Sequence, residues 1–575
     1  MGTDVRLPKG RAWHIANTTI RSPFRLKGGL EALVAAGFEG NMQKAQEEKI
    51  ALALAEAGVV SLASSTNDIT SIARKWRSVL VKLGFLWPDV EMLRKEAGIS
   101  QSDIGAPFTL TPNGRRLLGA KSFQGEQEVL LRSLAALRLP SPLEPAYDFV
   151  VFSPLVHVVR VLETLEEAGH APYISRLEMA SIVILSNASD DLEVLVNDIA
   201  DQRRARSAAL GKRRFDAEII RAIAEKKGQK YQTLYDYQDV SFRYLKATGL
   251  FQSRGRGITL VPEKRRVATL LAVASQPPAT AVQYLNLIAE GAKLPTDTQG
   301  GAQEVLVDLI SIASERRIDF DSSSYDLSTP EGVSLARHDL EQAIFEAKEL
   351  EYAADQRGKM NEILAYLQML DKGQDSQLFG DEQLVIPREE RPAYFEWLLW
   401  RVVLALNHLT IPPSEVRRFH IDQDFLPVST ASGGGADVIA EYRHSVLVVE
   451  VTLTESSRQE AAEGEPVRRH VADVLERFEP AGKDVYGLFV ARRIDTNTAE
   501  TFRIGAWYKK DDERVSLDVV PLTLAQLTEV LRAGAREGKL TPSLLLDVIS
   551  KASLARAETR GAPEWKTRIA EIVAL

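Results

Sequence analysis

The sequence predicts a multidomain protein: a mainly α-helical N-terminal half with winged helix-turn-helix modules, then an α/β domain with a central mixed sheet. Three observations carry that prediction. At about 150 residues per domain, 575 residues exceed what one simple core organises. Before residue 300, apolar residues recur at helical spacing and stop at glycines, whereas beyond Pro387 short apolar runs alternate with helical segments. Hydrophobic residues at 45% and charged residues at 26%, with 36 Gly and 25 Pro, are ordinary globular values, which excludes collagen, a long coiled coil and bulk disorder.

The chain has no cysteine, which removes disulfides, iron–sulfur clusters, thiolate zinc sites and cysteine nucleophiles. The eight histidines, at 14, 157, 170, 338, 408, 420, 444 and 470, form no HExxH and no pair at ligand spacing, so any metal is expected on oxygen ligands. The N-terminus carries no apolar signal region and no run approaches a membrane span, so a cytoplasmic protein with no membrane partner is expected.

In chain order, Ala73 to Lys82 reads as a helix ending at Leu83-Gly84-Phe85-Leu86, and Phe108 to Leu118 follows as strand, proline and basic helix. Residues 201 to 266 hold 17 Lys/Arg against 7 Asp/Glu on a chain of net charge −8. Within that basic segment, Asp216 to Lys227 and Val240 to Thr248 read as helices, the second stopping at Gly249. Leu250-Phe251, the basic turn 253 to 257, a strand Ile258 to Val261 and a helix opened by Pro262 complete the layout of a winged helix-turn-helix. Thr109 to Pro112 matches Thr259 to Pro262, and Trp76-Arg77 matches Phe242-Arg243, so two related modules are expected, at about 31–130 and 201–290. The alternative is that such aromatic and basic helices merely pack small helical domains. Two copies and the local charge of +10 favour double-stranded DNA, since a helix in the major groove and a basic wing tip meet phosphates and base edges. Arg243 and Lys246 on the helix, and Arg254 and Arg256 at the wing tip, are the candidate contacts.

Residues 301–385 read as a helical linker between a recognition region, 1–300, and a cleavage domain, 386–575. Past Pro387 the pattern predicts a helix from Tyr394 to Asn407, strands near 437 and 448, a helix from Val467 to Arg477, and strands Val485 to Val490 and Val515 to Val520.

The chemistry concentrates at Gly433 to Glu441, a turn, and Val446 to Leu453. With a short loop, residue numbers of cross-strand partners sum to 887, so Asp437 faces Glu450. Carboxylates so placed have Cβ atoms about 5 Å apart and repel unless a cation lies between them. Glu450 sits inside the apolar run VLVVEV, where an unpartnered carboxylate is costly, which argues against a coincidental surface pair. Oxygen-only ligation suits Mg²⁺, with Mn²⁺ expected to substitute; the ion polarises a phosphoryl group and acidifies water. Glu396, among aromatics on the preceding helix, and Glu463 are candidate supporting ligands. Arg469 is the candidate clamp on a scissile phosphate, with His470 beside it, and Glu465 is an alternative to Glu463.

This hairpin resembles the PD-(D/E)XK nuclease core, and the chain resembles the AlwI family of type IIS restriction endonucleases, which includes nicking relatives. The resemblance is carried by Trp13 to Arg21 with Pro23 and Arg25, by Asp437, Val449 to Leu453, Gln459, Glu463, Pro466-Val467 and Arg469-His470, and by Ile494 to Phe502 and Val520 to Leu524. It implies recognition of a short asymmetric DNA sequence and Mg²⁺-dependent hydrolysis outside it. Asp437 and Glu450 would be metal ligands, Glu396 and Glu463 supporting acids, and Arg21 and Arg25 DNA contacts. A host methyltransferase would protect the same sequence. A second catalytic unit, another copy or a small subunit, would cut the second strand; without it the enzyme nicks. Thr452 stands where the motif's lysine is usual, leaving the water-activating group open among Glu463, Glu465 and an ion-activated hydroxide. The remaining alternatives are a non-catalytic DNA-binding protein with a degenerate nuclease domain, and a nonspecific or RNA-directed nuclease.

Overall fold

The computed structural model describes residues 12–60, 69–92, 99–142, 150–380, 382–431, 434–455, 458–509 and 512–574. These fall into two compact units, Met1–Glu341 and Gln342–Leu575, and the division lies inside one long helix, Pro330–Asp355. It therefore falls within the stretch 301–385 expected as a linker. Parts of the first expected module (61–68 and 93–98) and Gly433 lie outside the described residues. Among the described residues no helix is long and apolar enough to cross a membrane.

In the first unit the helix Tyr231–Ala247 starts nine residues earlier than the sequence suggests. Its buried face, Leu234, Gln238, Ser241 and Leu245, recurs at three- and four-residue spacing, so packing extends the helix back to Tyr231. Gly249, at φ +73, reverses the chain, a conformation side chains with a Cβ avoid. A three-stranded sheet follows from β1 (Ile174–Ser175), β2 (Phe251–Arg254) and β3 (Gly257–Leu260), in the order β1-β3-β2. The β2–β3 hairpin turns at Gly255-Arg256, and the helix Arg265–Ala274 follows a short turn opened by Pro262. In the earlier copy the helix Thr70–Lys82 and the Pro-initiated helix Pro112–Gly119 form, but the expected strand between them shrinks to one bridge, Leu86 to Leu110. Gly114 explains the closeness of that pairing, because a Cβ there would lie 2.1 Å from the Phe85 carbonyl oxygen.

The segment Trp13 to Ile20 is a buried strap. Trp13 is fully buried, with its N–H donating to Ile184 O and its Nε1 to Ser186 O. Asn17 Nδ2 donates to Lys75 O, His14 stacks on Tyr237 at 4.3 Å, and Tyr244 donates to Ile20 O. Residues far apart in sequence are thereby tied to two helices.

The second unit opens with the hairpin β4 (Ser376–Phe379) and β5 (Glu382–Val385). The helix Arg391–Leu406 comes next, with every residue from Ala393 to Leu406 buried; a helix apolar all round belongs inside a core. It lies against a four-stranded mixed sheet of β6 (Val438–Glu441), β7 (Ser445–Thr452), β8 (Asp484–Ala491) and, beyond the small hairpin β9 (Ala506–Tyr508) and β10 (Arg514–Ser516), β11 (Asp518–Thr523). The order is β11-β8-β7-β6, with β6 antiparallel to β7 and the other pairs parallel. Strand β7 is apolar on both faces because helices cover it, as parallel strands require. The strand expected from Val515 to Val520 is broken at Leu517, so its two parts join different sheets.

Candidate active site

The register of β6 on β7 pairs Val438 with Val449 and Glu441 with Val446, the sum of 887 expected from the sequence. Asp437 immediately precedes β6 and turns its carboxylate onto β7, where Oδ2 accepts from Val451 N at 2.9 Å. Glu450 is 7% exposed and interacts directly with Asp437. Glu396, also 7% exposed, projects from the buried helix, and its Oε2 accepts from Ala431 N at 2.6 Å. Glu463 lies on a π-helical turn, Glu460–Gly464, and its charge reaches both Asp437 and Glu450.

Burial and mutual repulsion shape this cluster electrostatically. Burial, then repulsion by Glu450, pushes Asp437 up to about 7. Burial, then Glu463, pushes Glu450 up to about 8, and burial, then Asp437, pushes Glu396 up to about 9. Three neighbouring carboxyls are thus held toward their neutral forms by burial and by one another's charge, a cost that a cation between them would relieve. Among the described residues no group of three or more His, Asp or Glu is placed to hold a metal ion by itself. The donor set fits Mg²⁺ nonetheless, because this ion is usually held by one or two carboxylates, its remaining positions going to water and phosphate oxygens. Asp437 and Glu450 would supply that pair.

His470, on the helix Glu465–Phe478, places Nδ1 2.6 Å from Glu450 Oε1. Burial, with Arg469 and Arg418, holds the imidazole below its usual value, while burial, then Glu463, holds Glu450 above its own. The His470 Nε2 is buried with no hydrogen-bond partner among the described residues. Thr452 lies on the same face of β7 as Glu450, two residues on, and its hydroxyl accepts from Thr454 N. Arg469 is half-exposed and pairs with Glu465 at 3.1 Å along the helix surface, with both side chains turned outward.

Two residues of the site carried no such role in the sequence. Arg418 packs over Gly435, where a Cβ would lie 2.0 Å from its guanidinium, and its charge opposes the upward shift of Glu450. The absence of a side chain at Gly435 lets the Arg418 guanidinium lie against the backbone seventeen positions away. Only the adjacent basic pair Arg417-Arg418 hinted at it, and Arg417 is used up in an ion pair with Glu349 at 2.9 Å. Gln459, fully buried, donates to Thr454 O and Arg493 O and accepts from Asp495 N, tying the segment after β7 to that after β8. The motif spacing had marked Gln459 but gave it no task.

The candidate DNA contacts fall in the first unit. Arg21 pairs with Asp236 at 2.9 Å and lies 3.7 Å from Asp239, which also holds Arg243 at 3.0 Å. Arg25 donates to Val59 O, and Lys246 to Ser253 Oγ at 3.3 Å. Arg254 extends over the Tyr173 ring, and Arg256 occupies the exposed tip of the β2–β3 hairpin. Arg21 and Arg243 are thus joined through Asp239, whereas Arg254 and Arg256 are exposed.

The AlwI restriction endonuclease family matches residues 81–530 of the chain. No curated protein matches. Among solved structures, the small subunit (R.BspD6I2) of the heterodimeric restriction endonuclease R.BspD6I is 26% identical over 37% of this chain and 98% of its own, with a TM-score of 0.28.

Proposed function

The chain belongs to the AlwI restriction endonuclease family, and we propose that it is a Mg²⁺-dependent, type IIS-like enzyme that hydrolyses one phosphodiester bond outside a short asymmetric recognition sequence. The observation that carries the cleavage chemistry is the register placing Asp437 beside Glu450, with Glu396 and Glu463 within electrostatic reach. This is the arrangement expected of a PD-(D/E)XK site with Thr452 in place of the lysine. When bound, Mg²⁺ supplies positive charge at the phosphoryl oxygens and makes water acidic enough to attack at neutral pH, and Mn²⁺ can take its place.

The protein's own groups do the remaining work. Asp437 and Glu450 hold the ion; Glu396, fixed by Ala431 N, and Glu463 add the negative field that retains it. His470 orients the Glu450 carboxylate through the 2.6 Å hydrogen bond, as partners of metal-ligating carboxylates do. Arg418 contributes the positive charge near the phosphate, a task that the outward pairing of Arg469 with Glu465 leaves to it. Replacing Arg418 by Met is expected to reduce single-turnover cleavage by about 10–100-fold with DNA affinity unchanged, and Lys to restore part of the loss. Equal losses of cleavage and binding would place Arg418 in DNA docking instead.

The first unit is assigned to recognition, with its helix–hairpin–helix at 231–274 acting as a winged helix-turn-helix. Arg256→Ala at the hairpin tip is expected to weaken DNA binding and lower the salt slope by about one, a result read by titration at several salt concentrations. One carboxylate cluster attacks one strand, so a second copy or a small subunit is needed for a double-strand break, and nicking is the product without it. A cognate methyltransferase would mark the same sequence. Plasmid digestion with Mg²⁺, with sequencing of the ends, tests the whole reading: discrete ends at a fixed distance support it. Tight binding without cutting supports a degenerate nuclease domain, and smearing a nonspecific nuclease.

A further inference from the structure

Between the helices Pro154–Glu167, Leu192–Ala208 and Arg265–Ala274, the first unit forms a half-open pocket of about 320 Å³. Its wall contains Arg138, Arg160, Ser153, Ser275, His157 and Asp190. Arg138 is 4% exposed, and its guanidinium donates to Ala135 O, Leu137 O, Ser275 Oγ and Gln276 O. Among the described residues no carboxylate pairs with it, so a full positive charge is buried against dipoles alone. Burying a guanidinium this way is unfavourable unless an anion arrives to share the site.

The other wall groups point the same way. Arg160 is exposed and, among the described residues, its guanidinium donates to Ala272 O alone, at 3.2 Å, which leaves N–H groups to meet a ligand. Ser153 Oγ accepts from Val156 N as the helix cap and Ser275 Oγ accepts from Arg138, so each hydroxyl retains its proton to donate. The N-terminus of Pro154–Glu167 adds its positive end. His157 is buried and held down to about 4, so it stays neutral, with Nε2 2.8 Å from Ser186 Oγ. Asp190 is occupied: its Oδ2 accepts from Asn187 N and Nδ2. Two guanidiniums against one carboxylate leave a net +1, the charge that a phosphodiester neutralises. Val151, Phe152, Val156 and Val273 supply an apolar border suited to a sugar edge.

We propose that this pocket is a phosphate-ester site in the first unit, in which Arg160 supplies the hydrogen-bonding fork and Arg138, its Nη donors held by the protein, supplies buried positive charge and its remaining Nε–H. The phosphate can come from the backbone of DNA or from a free phosphate ester; the DNA source rests on the restriction-enzyme reading, the phosphate chemistry does not.

The test titrates the full chain with inorganic phosphate at constant ionic strength, chloride making up the balance, and follows the melting temperature. Arg160→Gln is compared with the parent because its surface position keeps folding intact, and Arg138→Lys keeps the buried charge while losing the Nε–H. A saturable rise in the parent with a midpoint about tenfold weaker in either variant is expected. No rise beyond chloride, or unchanged midpoints in both variants, overturns the site. In the second arm, duplex binding is measured against salt. A slope about one unit lower for Arg160→Gln, with phosphate competing, assigns the ligand to a backbone phosphate. An unchanged slope alongside the shifted phosphate midpoint assigns it to a free phosphate ester and overturns the DNA source alone. Loss of cleavage with phosphate binding intact bears on the proposed function and leaves this cavity standing.

Discussion

Asp437→Asn is expected to lower cleavage about a thousandfold or more while leaving DNA affinity near that of the parent and raising the melting temperature of the metal-free protein. The two effects have one cause. Asp437 adds charge beside Glu396, which is held up partly by that repulsion, and is itself pushed up by the charge of Glu450. Asn keeps the volume and an oxygen that can accept from Val451 N, so the hairpin is retained while the repulsion and the ion's ligand are lost. Circular dichroism melts without metal and single-turnover cleavage with Mg²⁺ read the two arms. A loss of activity accompanied by a lower melting temperature would mean that Asp437 stabilises the fold and that the cluster is structural.

Metal-free stability should fall as pH rises, and added Mg²⁺ should offset the fall. The sign follows from linkage: Asp437, Glu450 and Glu396 bind protons more tightly in the folded chain, at about 7, 8 and 9, than in the unfolded chain. Their stabilising contribution is therefore complete below the ordinary carboxyl range and is lost as pH rises through these folded values. Each group protonated only in the folded state lowers stability by about 1.4 kcal/mol per pH unit between its unfolded and folded values. Partial exposure of Asp437 and coupling within the cluster reduce the sum below three independent terms. Melting the parent and Glu396→Gln from pH 5 to 9, with EDTA or Mg²⁺, isolates the effect. The parent should lose more than the variant in EDTA, and Mg²⁺ should stabilise the parent increasingly toward pH 9. A parent that gains stability with pH in EDTA would refute the clustered-acid account.

The hairpin was legible because it is local. Asp437 and Glu450 are thirteen residues apart, the period of a strand is two, and one short turn fixes which residues meet, so the register follows from counting. Glu396 was legible for a different reason: a carboxylate in an unbroken run of aromatics and aliphatics declares itself whatever the fold. The break at Leu517 was hidden, since an apolar run of β-formers does not record which sheet each half joins. The strand lost from the first module was hidden for a like reason: Leu86 and Leu110 look suited to pairing, but neighbouring packing left room for one bridge.

Local pattern thus set the helices, the carboxylate pair and the family membership, all of which depend on residues close in sequence or on motif spacing. Tertiary contact alone chose Arg418 over Arg469 as the cation facing the acids, made Gln459 a tie between two strand ends, and assembled the Arg138–Arg160 cavity from segments more than a hundred residues apart. Charge and burial act through space, and a linear string holds no distances between residues that meet only after the chain has folded.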